Sequence, residues 1–270
     1  MNSTSKAIVL AAVAAAILGG ALVSGQQLAM AGKNAGTNNE QNAASGKPIP
    51  LKEAKLNIEH NAKDNDTGFQ GALDSEGWNR ITVTGPDGTV LDFRGEGKLG
   101  QLGLTELFFE SVEPENAVVP IDELLKTLPE GKYKFEGSAI ENGEIQGRTV
   151  GTALLTHDIP EGPELLTPAE DAVVPADEDL LVSWSPVNKT IDGSDANIIA
   201  YQLIIEKDVE DPELHMIGTF GLSMYLPPDV NEITIPEEFL EPGTDYAWEV
   251  LAIEESGNQT LNSSSFSTSD

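Results

Sequence analysis

Leu240-Glu241-Pro242-Gly243-Thr244-Asp245-Tyr246-Ala247-Trp248-Glu249-Val250-Leu251-Ala252-Ile253 is the stretch that decides the fold. Pro242-Gly243 supplies a tight turn, and Tyr246, Trp248, Val250 and Ala252 then alternate as one face of a half-buried strand. A tyrosine at the start of such a strand can return its hydroxyl to a backbone group a few residues upstream. That ties the turn to the sheet and gives a buried polar atom its partner. The stretch points to a β-sandwich and to no chemistry.

Leu180-Leu181-Val182-Ser183-Trp184-Ser185-Pro186-Val187 reads as an earlier strand with a core tryptophan, and Ile198 to Ile205 as the next, with Tyr201 inward. Short β-rich runs follow at Met216 to Phe220, Glu232 to Ile235 and Ser264 to Thr268, separated by Pro, Gly, Asn and Asp turns. Trp184, Tyr201, Leu240 and Tyr246 in this order resemble the structural signature of fibronectin type III domains, from roughly Pro160 to Asp270. The resemblance implies a sandwich at 159–270. The acidic stretches Asn188 to Asn197 and Lys207 to His215 are longer than that family's loops and leave its binding face open.

From Lys55 to His157 turns again alternate with strands. Trp78 to Val83 and Thr89 to Phe93 flank Gly85-Pro86-Asp87-Gly88, and Tyr133 to Ala139 and Ile145 to Leu155 flank Asn142-Gly143, so two hairpins are expected. Ile121, Leu124, Leu125 and Leu128 keep helical spacing and predict one short helix. The expected fold is therefore all-β, two tandem β-sandwiches: an N-terminal immunoglobulin- or fibronectin-like one at 51–158, then the fibronectin type III one. Leu128-Pro129-Glu130-Gly131-Lys132-Tyr133 echoes Leu240 to Tyr246 and makes Tyr133 a candidate second corner tyrosine. A duplication would produce the echo, and so would the frequency of turn-Tyr-strand patterns in all-β proteins.

Lys6 precedes an apolar run, Ala7 to Val23, and Ala29-Met30-Ala31 follows as a small-x-small cleavage site. Residues 1–31 are expected to be a signal peptide, with a retained anchor as the alternative, and 32–50 a disordered polar linker. The predicted destination is outside the cell or the periplasm, with cell-surface association open and no membrane span once the leader is removed. The chain has no cysteine, which excludes disulfide scaffolds, lipid attachment through cysteine and thiolate chemistry. Without the leader's one Lys, 14 basic face 45 acidic side chains, net −31, so nucleic acid is not an expected partner. From Glu161 onward 24 acids meet only Lys189 and Lys207.

Asp64-Asn65-Asp66-Thr67-Gly68, with Asp74 further on, places oxygen donors at alternate positions around a turn, which is what calcium requires. Asp64, Asp66 and Asp74 are the candidate metal ligands and Ca²⁺ the candidate cofactor. The competing reading is a turn whose Asx side chains bond their own backbone. Asn188, Asn258 and Asn262 open Asn-x-Ser/Thr acceptors, the last two where an exposed turn is expected. His60, His157 and His215 lie in no zinc or nucleophile motif, so no catalytic residue is assigned and no enzyme is expected.

Asn61 to Phe69, Gly103 to Ser111, Pro129 to Tyr133 and Ile253 to Thr260 also resemble secreted proteins of marine and environmental microbes that end in a fibronectin type III domain. That group offers no established activity to carry over. The expectation is a secreted, non-catalytic binding or adhesion module for an extracellular protein or polysaccharide. The alternative is a calcium-stiffened, self-associating subunit of an extracellular layer or filament.

Overall fold

The N-terminal half is organised by one 20-residue strand, β3 (Asp66–Gly85), that serves two layers. Its first part pairs antiparallel with β2 (Glu53–Asn61) on one side and β5 (Leu104–Glu110) on the other. Its second part pairs with β4 (Gly88–Arg94) and β6 (Gly131–Glu141). The register shifts between Asp74 and Trp78 and again between Trp78 and Ile81, a bulged step that bends the strand from one layer into the next. The second layer is completed by β7 (Glu144–Leu155), antiparallel to β6, and β1 (Ile49–Pro50), parallel to β7. Between the layers lie Leu56, Ile58, Leu73, Trp78, Ile81, Val83, Tyr133, Phe135 and Leu155, all buried. Two short helices, α1 (Gly97–Leu102) and α2 (Ile121–Leu125), flank β5 in the chain, and α2 falls on the predicted helical spacing.

The computed structural model describes residues 48–208 and 221–270. The leader, most of the polar linker, His215 and the strand expected at Met216 to Phe220 lie outside the described residues. The end of that linker needs a correction, because Ile49 and Pro50 pair with Thr149 and Val150.

Both hairpins occur where the turn chemistry places them. Asn142 (φ 51°) and Gly143 (φ 78°) adopt the left-handed pair that a two-residue turn between right-twisted strands demands.

The C-terminal half sets three strands against four. One sheet runs β13 (Glu232–Ile235), β10 (Leu180–Trp184), β8 (Leu165–Thr167). The other runs β12 (Gly221–Leu226), β11 (Ile198–Lys207), β14 (Asp245–Glu254), β15 (Gln259–Thr268), and β9 (Ala172–Val174) adds parallel to the end of β15. Trp184, Tyr201, Leu203, Ile205, Tyr246, Trp248, Val250 and Phe266 fill the space between them. Each half thus has its own apolar core, the source of stability left to a chain without disulfides.

The halves share one sheet. Gln259, Thr260 and Leu261 of β15 pair parallel with Glu59, His60 and Asn61 of β2, giving a continuous order β3-β2-β15-β14-β11-β12, and both sandwiches belong to one compact unit. Side chains alternate across a strand, so the pairing puts Leu56 and Ile58 on the same side as Tyr246, Trp248 and Val250. Both cores lie on one face of this sheet. The opposite face carries Asn57, Glu59, Gln70, Gln202, Glu249 and Gln259 beside a third apolar cluster of Ile204, Leu251, Ile253 and Leu261, all buried.

Candidate functional site: the polar seam

The joint is pinned by Asn258, in the turn between β14 and β15. Its Oδ1 accepts from Ile58 N (2.8 Å), and its Nδ2 donates to Thr156 O (3.0 Å), Thr156 Oγ1 (3.1 Å) and Asp158 O (3.1 Å). Ala62 N donates to Leu261 O (2.9 Å) across the same line, and Thr260 Oγ1 to Pro160 O (2.5 Å). The expectation that Asn258 is an exposed glycan acceptor is corrected: the residue is 1 % exposed and all its amide capacity is used inside the protein. Asn262 is half-buried, its Nδ2 donating to Pro163 O (3.1 Å), while Asn188 is exposed.

The core signature is assembled beside this joint. Trp184 meets Tyr201 edge to face with ring centroids 5.6 Å apart, and Tyr201 Oη accepts from Val187 N (2.8 Å). Tyr246 Oη accepts from Glu241 N (2.9 Å), five residues upstream, next to buried Leu240, and donates to Phe239 O (3.4 Å). In the other half Tyr133 Oη donates to Pro129 O (2.7 Å).

The three candidate metal ligands do not converge. Asp64 sits on the β2–β3 turn, where its backbone N donates to Asn61 Oδ1 (3.1 Å) and its Oδ2 accepts from Asn61 Nδ2 (3.1 Å). That is the self-bonded turn. Asp66 opens β3 next to it, with Oδ1 buried and without a partner; burial, Asp64 and Glu115 raise its pKa. Asp74 lies eight residues along the same strand, roughly 26 Å away at ~3.3 Å per residue, and 4.0 Å from Lys52 Nζ. Gly68 and Gly71 belong to this strand. A Cβ on Gly71 would stand 2.3 Å from the Phe109 ring, and one on Gly68 2.6 Å from Glu113 Cγ, so glycine makes room for neighbours there.

The polar face around Glu59 is dense in carboxyl groups. Gln259 Nε2 donates to Glu59 Oε2 and to Gln70 Oε1 (3.2 Å). Glu113 lies over Gly68, Glu59's neighbour on β3, and Glu249 projects from the same face of β14. Glu113 Oε1, Glu249 Oε1, Asn57 Nδ2 and Gln70 Nε2 are buried without a protein partner. Burial, reinforced by Glu59, Asp66 and Glu110, pushes Glu113 up to about 7; burial, with Glu59 and Glu206, pushes Glu249 up to about 8. Glu59 is itself raised, mainly by burial. Lys55 on the same face is lowered by burial, against the pull of Glu53 and Glu59.

These carboxyls escape a sequence reading because Glu59 and Glu249 stand in ordinary strand patterns and Glu113 in the irregular segment after β5. Only strand pairing across 200 residues gathers them. Among the described histidines, His60 Nδ1 lies 2.9 Å from Asp66 O and from Thr67 Oγ1, and His157 Nε2 lies 2.9 Å from Leu128 O. Burial lowers the pKa of His60. The His60 ring thus meets a backbone carbonyl and the Thr67 hydroxyl, and the His157 ring a backbone carbonyl.

Three strands against four, with a buried tryptophan and a corner tyrosine, decide the architecture of 159–270. The C-terminal half has the fibronectin type III fold. The chain matches no family model, and its sequence matches none of the curated proteins. Among solved structures it is similar to the fibronectin(III)-like modules of Clostridium thermocellum CbhA (11 % identity, 80 % of this chain and 94 % of that one, TM-score 0.32). It is also similar to chicken CNTN1 FN1–FN3 domains (11 %, 84 % and 69 %, 0.34) and a two-domain segment of chicken tenascin (11 %, 81 % and 99 %, 0.28).

Proposed function

We propose that the chain is an exported, non-catalytic binding module that recognises a protein or polysaccharide at the cell surface or outside the cell. The observation that carries this reading is the shared sheet. A parallel strand pair and the four hydrogen bonds of Asn258 weld the halves into a stiff unit, as suits a body that presents a surface. The weld uses up the β14–β15 turn, and this reading takes the other end of β14 as the partner surface. There Asp177, Glu178, Asp179, Glu237, Glu238 and Glu241 are exposed, with Glu237 N donating to Asp179 Oδ1 (3.1 Å) and Lys207 Nζ 2.5 Å from Glu241 Oε1. Such an end steers a basic partner at low salt. Immobilised mature chain should retain a partner from the native exterior and release it as salt rises, and Asp177→Asn with Glu237→Gln and Glu238→Gln should weaken retention. Equal retention by wild type and triple variant would remove this end from the reading.

A second reading, a calcium-stiffened structural subunit, is favoured by the unpartnered buried Oδ1 of Asp66 beside Asp64. It requires self-association in millimolar calcium that Asp64→Asn with Asp66→Asn abolishes. A wild-type chain that stays monomeric in sedimentation removes it.

A further inference from the structure

β5 lies at the end of the shared sheet beyond β3 and, among the described strands, pairs with β3 alone. Which of its backbone groups face outward follows from the ladder. Ser111 N donates to Phe69 O (2.8 Å) on that side of β3, while Asp74 O accepts from Lys52 N (2.8 Å) on the other side. Bonded and open pairs alternate along an antiparallel ladder, so 69–111, 71–109 and 73–107 are the bonded ones. Glu106, Phe108 and Glu110 therefore turn their N–H and C=O groups away from β3. Their side chains share one face of the sheet and are exposed, Phe108 at 40 %. On that face Glu106 stands directly opposite Asp74, and Glu110 opposite Gln70. Side chains of an open pair stand closest, with Cβ atoms ~5 Å apart, so two carboxylates at Glu106 and Asp74 weaken the ladder. Lys52 relieves only Asp74, and it is nearer Glu76 (3.3 Å) than Asp74 (4.0 Å).

We propose that the β5 edge docks an extended basic segment of a partner protein, which adds to the sheet as a further strand with Lys or Arg facing Glu106 and Glu110 and an apolar residue facing Phe108. The outward N–H and C=O groups of those three residues supply a ladder, and a ladder requires a polypeptide. The side chains supply the choice of partner. In the register that pairs all three outward residues, a second copy would set Glu106 against Glu110, so like charges oppose self-pairing and turn away acidic strands as well. A cation opposite Glu106 also offsets the neighbouring Asp74, and an apolar side chain opposite Phe108 covers a ring left partly in water. This surface belongs to the N-terminal sandwich and not to the acidic end of β14, and it goes beyond the reading above by naming the chemistry of a partner segment.

The probe is a fluorescently labelled peptide, Thr-Lys-Thr-Val-Thr-Lys-Thr, in which Lys, Val and Lys fall on one face and read alike in either direction. Its isomer Thr-Thr-Lys-Val-Lys-Thr-Thr has the same composition with the cations moved to the other face. Anisotropy against the full chain should show the probe binding about tenfold more tightly than the isomer, or than a version with Glu for both Lys. Bound probe should slow hydrogen exchange at the amides of Glu106, Phe108 and Glu110 and leave those of β10 unchanged. Glu106→Lys with Glu110→Lys should reverse the preference, towards the Glu peptide. Asp177→Asn with Glu237→Gln and Glu238→Gln should leave it as in wild type, which separates this edge from the end of β14. Equal binding of the two isomers overturns the proposal, since it reduces to general attraction by a chain of net charge −30. So does binding that leaves the three amides unprotected, and so does absence of binding at millimolar probe. Protection of the same amides on concentrating the protein without probe would assign the edge to a second copy and overturn the basic partner. Should the Lys double variant fail to fold, Phe108→Pro decides, because it removes an outward N–H and no bond to β3. It should weaken probe binding, and unchanged binding overturns the proposal.

Discussion

The two sandwiches close their layers in different ways. In the N-terminal half a single strand, β3, crosses from one layer to the other through a bulged step at Asp74 to Ile81, so both layers share a backbone. In the C-terminal half the layers are separate sheets, and Tyr246 fastens the loop between β13 and β14 instead. Similar turn-tyrosine sequences serve the two: Tyr133 donates to Pro129 O four residues back, whereas Tyr246 also accepts a backbone N–H. An echo in sequence thus corresponds to two hydrogen-bond patterns, and in the second half the chain changes layer between two short strands, β8 and β9, and not within one long strand. Similarity of a turn does not establish similarity of the body it closes.

The largest expected effect comes from the core tryptophans. Trp78→Ala and Trp184→Ala should each cost about 3 to 5 kcal/mol, since each leaves a large void in a buried cluster. Trp78 stands at the step of β3, opposite Leu104 of β5 and Ala139 of β6, so its loss should disturb both layers of its half. Calorimetry of either variant should still give one transition, because the halves are parts of one sheet. Two well-separated transitions would break the picture of a shared fold.

Asn258→Ala should cost roughly 2 to 4 kcal/mol, mainly by leaving the buried Ile58 N–H and the carbonyls of Thr156 and Asp158 short of partners. Unlike a core void, this change acts between the halves, so their urea transitions should separate. A shift in midpoint with full cooperativity retained would place the coupling in the β2–β15 pairing and not in Asn258.

The smallest effects sharpen the tyrosine comparison. Tyr246→Phe strands the Glu241 N–H and should cost about 1 to 3 kcal/mol; Tyr133→Phe removes only a donor to a carbonyl and should cost about 0.5 to 1.5 kcal/mol. Urea midpoints measured side by side give the order, and equal costs would make the two corners equivalent after all.

Much of the C-terminal fold was legible because local chemistry and tertiary role agree there. Pro242-Gly243, Tyr246 and the alternation to Ala252 each mean in the structure what they mean in isolation. The Asn142-Gly143 hairpin and the helix at Ile121–Leu125 are equally local. The start of β3 was not legible. Asp64 to Glu76 is rich in Asp, Gly and Gln, which suggests an ion-binding loop; its small and polar positions are there because one face of that strand lies against Glu59, Glu113 and Gln259. Asn258 misled for a related reason, since an acceptor triplet reports sequence and says nothing of what docks on the turn. β12 at Gly221–Leu226 was not expected from the sequence, and the strand expected at Met216 to Phe220 lies outside the described residues. The joint itself depends on strands that no local window contains together.

Ile58 and its partner Asn258 are 200 positions apart, and this spacing bears on how the molecule is made. Synthesis delivers β2 long before β15, so until then the β2 edge that faces β15 has no partner strand. An open edge is a template for any extended chain nearby, including β15 of a neighbouring copy, whose Gln259–Leu261 segment would dock as well as the chain's own. Exchange of β15 between two copies would rebuild the same joint, so pairing within one chain depends on β15 meeting its own β2 first.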